Sequence, residues 1–250
     1  MFQKTLSMLL LLVTMSFASH AKELVVWSAG AVKPALEELV PAFEKQAGVA
    51  LKVDYAPVGV WMRRLADGGQ PDVLILSADV VNDVQGKGWA VAGSAQPLGS
   101  VGVGVAVKQG TAMPDVSTPE ALRETLLRAK SITYMDPQKG TSGKHFASVL
   151  AQLGITEQVK EKTKLGDVGY VLEPVARGEI ELGIQQITEI LPVQGAVLVG
   201  PLPASLQKVT TYVVMLGAKA GDNKDALALQ RFLQTPKAVQ VFKLKGFSPM

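Results

Sequence analysis

Short apolar runs alternate along the chain with segments whose apolar residues recur at helical spacing. Leu24–Trp27 reads as a strand. Pro34 to Gln46 places Leu36, Leu39, Val40 and Phe43 on one helical face, with Pro34 suited to a first turn and Gly48 to a stop. Leu51–Tyr55 alternates like a strand, Trp61–Ala66 looks helical, and Val73–Leu76 is a β-rich run between Pro71 and Ser77. Val80–Gly86 looks helical again. This alternation predicts an α/β fold with mainly parallel sheet.

Two later runs read as crossings: Val101–Val107, which carries glycines, and Val209–Leu216. Between them lies a second α/β set. It comprises a helix near Pro119–Lys130, a strand at Ser131–Met135, and a helix from about Ser142 to Leu153. A strand near Lys162–Leu165, a helix over Tyr170–Arg177 and a strand at Leu182–Gln185 follow. Helices are predicted near Lys224–Leu233 and Pro236–Lys243. The pattern divides the chain into a discontinuous first lobe, 22–103 plus 209–250, and a second lobe, 104–208. In open α/β sheets ligands sit beyond the carboxyl ends of strands, so the cleft between the lobes is the expected site.

Composition adds a compartment. Lys4, the apolar run Leu6–Phe17 and the small-x-small site Ser19-His20-Ala21 predict an export leader over 1–21, with a mature chain from Lys22. No later run reaches the ~20 apolar residues of a membrane span. The chain has 0 Cys, which removes disulfides and any lipid-bearing cysteine at the cleavage site. A soluble periplasmic monomer is expected. The net charge of +3 is small and its basic residues are dispersed, which argues against a nucleic-acid partner. His145 is the one imidazole left after the leader, and with no cysteine there is no set for a transition-metal site. No cofactor is expected. Walker loops, nucleotide fingerprints and G-x-S-x-G elbows do not occur.

Four strand-to-helix junctions carry the chemistry. The first, Ser28-Ala29-Gly30-Ala31, has small residues that let backbone N–H groups approach an anion at a helix start. The second holds Val58 and Gly59, then Arg63 and Arg64, one of which is expected to clamp a carboxylate. The third, Asp136-Pro137-Gln138-Lys139-Gly140-Thr141-Ser142-Gly143-Lys144-His145, offers two hydroxyls, one of them as helix cap, with Lys139 and Lys144 for charge. The fourth pairs Tyr170 with Gln185, Gln186 and Thr188 of Leu182–Glu189 as hydrogen-bonding groups. His145 in the cleft would titrate near neutral pH and serve as acid or base.

VVWSAGAVKPALEELVPAFEK, PDVLILSAD and DPQKGTSGKHFASVLAQLGI together resemble the molybdate-binding periplasmic protein family over nearly the whole mature chain. The resemblance implies a type II periplasmic binding protein, two α/β lobes closing on a ligand like a hinged clamp, with an ABC permease as partner. It carries a ligand role to Ala29, Gly30, Val58, Gly59 and Ser142. The serines usual in the second junction of such oxyanion receptors are missing, and Arg63, Lys139, Lys144 and His145 gather instead. A small multivalent anion, expected to be a polycarboxylate, is therefore the first reading. The family is also similar to aconitate isomerases, which implies allylic proton transfer with His145 or Lys144 as base. Molybdate or tungstate is the third reading.

Overall fold

The computed structural model describes residues 23–167 and 171–248. The expected leader and Tyr170 lie outside them. The elements run β1 (Glu23–Ala29), α1 (Lys33–Ala47), β2 (Ala50–Ala56), α2 (Val58–Ala66), β3 (Val73–Ser77), α3 (Val81–Gly86) and β4 (Gln96–Val101). They continue with β5 (Val103–Lys108), α4 (Pro119–Arg128), β6 (Ile132–Met135), α5 (Thr141–Gln152), α6 (Thr156–Lys160), β7 (Thr163–Gly166) and α7 (Glu173–Arg177). The last are β8 (Leu182–Gln186), α8 (Ile187–Ile190), β9 (Ala196–Pro201), β10 (Thr210–Leu216), α9 (Lys224–Phe232) and α10 (Pro236–Leu244).

Two sheets form, one per lobe, in the orders β2-β1-β3-β10-β4 and β7-β6-β8-β5-β9. The lobes repeat one topology. In each, three strands pair in parallel, and one reversed strand, β10 or β5, pairs antiparallel on both sides. Parallel pairing needs a crossover, and α1, α2, α5 and α7 supply it. All three parallel strands of a lobe therefore present their carboxyl ends, and the helix starts that follow, on the same side.

Local chemistry explains the elements. α1 begins with Pro34 in its first turn and stops at Gly48, whose left-handed φ of 68° suits glycine. It buries Leu36, Leu39 and Phe43 on the first sheet. β3 is buried along its whole length because β1 and β10 flank it and helices cover both faces. In the second lobe, Val105 and Ala106 face opposite sides of β5. Val105 joins the apolar cluster of Leu122, Ile132 and Phe146, and Ala106 joins that of Leu172, Val175 and Ile190.

The expected crossing run Val101–Val107 is two strands. β4 stays in the first sheet, β5 enters the second, and Gly102 lies between them. Gln207, just before the return strand β10, clamps this joint. Its Oε1 accepts from the Val103 N–H at 2.9 Å and its Nε2 donates to the Val103 carbonyl at 2.7 Å. The outgoing and returning crossings are tied together at the hinge.

Candidate functional site

A cleft of about 200 Å³ opens between the lobes. That is below the ~300–1,000 Å³ of sites for drug-sized ligands, and fits a small metabolite. It is walled by strand ends from both sheets: Ala29–Ala31 at the end of β1, Ala56–Val58 at the end of β2, Gly140–Ser142 at the start of α5, Glu189 after β8, and Tyr212 of β10. α1, α2 and α5 all start here, and none has a side-chain cap. The first N–H groups of a helix have no intrahelical acceptor, so three uncapped starts give the cleft a positive backbone field. The sequence predicts Thr141 or Ser142 as the cap of α5. Gly140 takes the cap position in extended conformation instead, and both hydroxyls remain at the cleft.

Several expected residues reach the cleft: Ala29, Gly30, Ala31, Val58, Thr141 and Ser142. Others do not. Ser28 is buried within β1, its hydroxyl donating to the Ala29 carbonyl at 3.2 Å and its own carbonyl accepting from the Trp61 indole at 2.8 Å. Gly59 gives its N–H not to a ligand but to the Lys139 carbonyl across the cleft, at 3.0 Å. Gly143 is glycine for packing, since a Cβ there would sit 1.9 Å from the Met135 carbonyl oxygen. Gln185 and Gln186 are buried behind the lining.

The cationic cluster disperses. α2 buries Val58, Trp61 and Leu65, so Arg63 falls on the exposed face. Arg64 lies over the Trp61 ring at 5.0 Å, which itself stacks on Trp27. Lys139 pairs with Asp167 and approaches Asp136 at 3.9 Å. Lys144 and His145 line a separate depression beside Lys208 and Thr210. There His145 Nε2 makes a 2.8 Å hydrogen bond with the Leu206 carbonyl. Burial lowers its pKa from the usual imidazole value; the Leu206 carbonyl opposes that shift and Lys208 adds to it. None of these five side chains lines the cleft.

Five titratable cleft residues escaped the sequence reading, the exposed Glu173 among them. Lys33 is the cation of the lining among the described residues, held 3.6 Å from Glu37 and 5.7 Å above the Tyr55 ring. Tyr55 and Tyr212 add phenols. The last is Glu189, in the first turn of α8. A Cβ on Gly30 would lie 2.7 Å from Glu189 Oε1, so the first lobe presents bare backbone to this carboxyl. Burial pushes its pKa up to about 8, and a hydrogen bond with Gln185 only partly opposes the shift. The cleft thus combines backbone donors, hydroxyls, one lysine and one buried carboxyl poised to exchange a proton near neutrality.

Fold and cleft together define a two-lobed solute-binding protein whose ligand sits between two topologically equivalent α/β halves. The profile of the bacterial extracellular solute-binding protein family matches residues 24–248, and the chain belongs to that family. It is 30% identical to an aconitate isomerase of a Pseudomonas species over 239 residues, covering 93% of this chain and 90% of that protein. It is 26% identical to the molybdate-binding protein of Azotobacter vinelandii, over 92% of this chain and 91% of the relative. A solved structure of the periplasmic molybdate-binding protein from Azotobacter vinelandii superposes with a TM-score of 0.76 at 20% identity, covering 91% and 99% of the two chains. The fold is that of type II periplasmic binding proteins. No helix among the described residues is long and apolar enough to cross a membrane.

Proposed function

We propose that the chain is an exported isomerase of an unsaturated tricarboxylate, interconverting cis- and trans-aconitate by allylic proton transfer on the receptor fold. The carrying observation is Glu189, buried in the cleft with its pKa raised to about 8. A protonated carboxyl can donate to a bound anion, but only proton transfer makes use of a group whose pKa lies near the working pH. The 30% identity to an aconitate isomerase supports the same reading.

The chemistry is as follows. Ionised Glu189 takes a proton from the methylene carbon of aconitate. The C–H electron pair enters the conjugated system and places charge on a carboxylate oxygen. Protonated Glu189 returns the proton to the other end of the allylic unit, and the double bond moves one carbon. The bond that becomes double was single in the substrate, so the bound rotamer decides whether cis or trans product emerges. Lys33 and the uncapped starts of α1, α2 and α5 hold the carboxylates. No electrons leave the system, and no cofactor is called for.

The test is proton NMR of the mature protein with cis- and trans-aconitate in D₂O. Interconversion with deuterium entering the methylene is the expected result. Line broadening without conversion would replace the isomerase with a tricarboxylate receptor for an ABC permease, the reading that the three uncapped helix starts favour by themselves. Unchanged spectra would return oxyanions such as molybdate to the front. Periplasmic location is part of the proposal, and fractionation of the native host tests it.

Closure carries its own prediction. In Gly59→Ala the added methyl meets the Lys139 carbonyl oxygen at 2.9 Å and that of Gln138 at 3.1 Å. Overpacking of this kind costs about 1–3 kcal/mol. Calorimetry with tricarballylate, the saturated analogue, should show roughly ten-fold weaker binding or more.

A further inference from the structure

Beside Glu189 the cleft is closed by a side-chain cluster that draws on both lobes. Tyr212 comes from β10 of the first sheet, Gln186 and Thr141 from β8 and α5 of the second lobe. Gln186 Nε2 lies 3.3 Å from the Tyr212 hydroxyl, 3.3 Å from Thr210 Oγ1 and 3.5 Å from Thr141 Oγ1. An amide nitrogen only donates, so the Tyr212 oxygen accepts and its single proton points elsewhere. Thr141 is within hydrogen-bonding reach of that phenol, and both line the cleft with Glu189. Gln186 Oε1 is buried without a partner, a cost of about 1–3 kcal/mol that stability alone gives no reason to keep.

Tyr212 is 2% exposed. Burial raises its phenol pKa far above the usual range, and the nearby Glu189 carboxyl adds to the shift. Tyr212 therefore stays protonated at any working pH. It is a donor and not a base.

We propose that Tyr212 is the second chemical group of the reaction: its hydroxyl donates to the carboxylate oxygen on which charge collects as Glu189 removes the proton, and Gln186 positions it. The inference rests on the isomerase reading. At the moment of transfer, the electron pair from the broken C–H bond is held on an oxygen facing a fixed donor that needs no reorganisation.

The test compares wild type, Tyr212→Phe and Gln186→Met by aconitate interconversion in D₂O and by tricarballylate calorimetry. Tyr212→Phe should lower kcat about 10²-fold, the typical loss of one such donor, with tricarballylate affinity within about three-fold of wild type. Gln186→Met should lower kcat roughly ten-fold and leave the shape of the pH profile unchanged, because it misplaces the donor and does not touch the base. Wild-type kcat in Tyr212→Phe overturns the inference. So does a loss of tricarballylate affinity equal to the loss of kcat/KM, which marks a packing role. If Tyr212→Phe does not fold, wild-type kcat in Gln186→Met overturns it. A wild-type protein that binds but never converts aconitate sinks the isomerase reading, and this inference with it. Turnover that ignores Tyr212 sinks this inference alone.

Discussion

Glu189→Gln should bind tricarboxylates and fail to isomerise them. Gln has the size and nearly the shape of the protonated carboxyl that burial favours, so the cleft should be preserved. It cannot accept a proton from carbon. General acid–base groups contribute about 10²–10⁴ to rate, and with the base removed a loss near the upper end of that range is expected. The pH dependence makes the assignment specific. With its pKa raised to about 8, the carboxyl is about one-tenth ionised at pH 7. Wild-type kcat/KM should climb with pH and level off above about 8, since it reports the free enzyme's base. Tricarballylate affinity should fall over the same range, because an ionised Glu189 repels the ligand. In Glu189→Gln the affinity should be flat there. Turnover at wild-type rate in the variant would exclude Glu189 as the base and sink this assignment.

Much of the fold was readable from local pattern. α1 carried its own start and stop in Pro34 and Gly48, and β3 showed as an apolar run between turn residues. The hinge did not. Val101–Val107 is apolar throughout, and the break at Gly102 is set by Gln207, a residue more than one hundred positions away. β9 went unpredicted because its register is made by β5. Backbone positions at the site, Ala29 to Ala31 and Val58, followed from strand ends and helix starts. The cations misled because nearness in sequence to a junction is not orientation. The spacing of Val58, Trp61 and Leu65 already fixed the buried face of α2, and Arg63 falls off it. Glu189 had a faint signal, a carboxyl between Ile187 and Ile190 at a strand end. What makes it chemical is Gly30, brought against it from the other lobe, and no local pattern contains that contact.

The same carboxyl should make the protein less stable as pH rises through neutrality, against the usual behaviour of paired acids. Its folded pKa of about 8 lies above the ordinary 4.5. Below about 4.5 both folded and unfolded states are protonated, and its contribution is fully present. Between about 4.5 and 8 the unfolded chain releases the proton while the fold holds it, so stability falls as pH increases. Above about 8 both states are ionised and the decline stops. At 1.36 kcal/mol per pH unit the window corresponds to a loss of a few kcal/mol. His145 acts in the opposite sense. Its lowered pKa favours the neutral ring in the fold, so it contributes stability that is lost as pH falls. Comparing wild type with Glu189→Gln at each pH cancels His145 and isolates the carboxyl. Urea denaturation at about pH 5 and about pH 9 should find the variant close to wild type at the lower pH and more stable by a few kcal/mol at the higher one. A gap that does not widen with pH would mean that Glu189 is ionised in the folded protein at neutrality. A widening gap would show a stability cost carried at working pH by the one group whose raised pKa the reaction requires, the trade-off expected where a site is kept for chemistry.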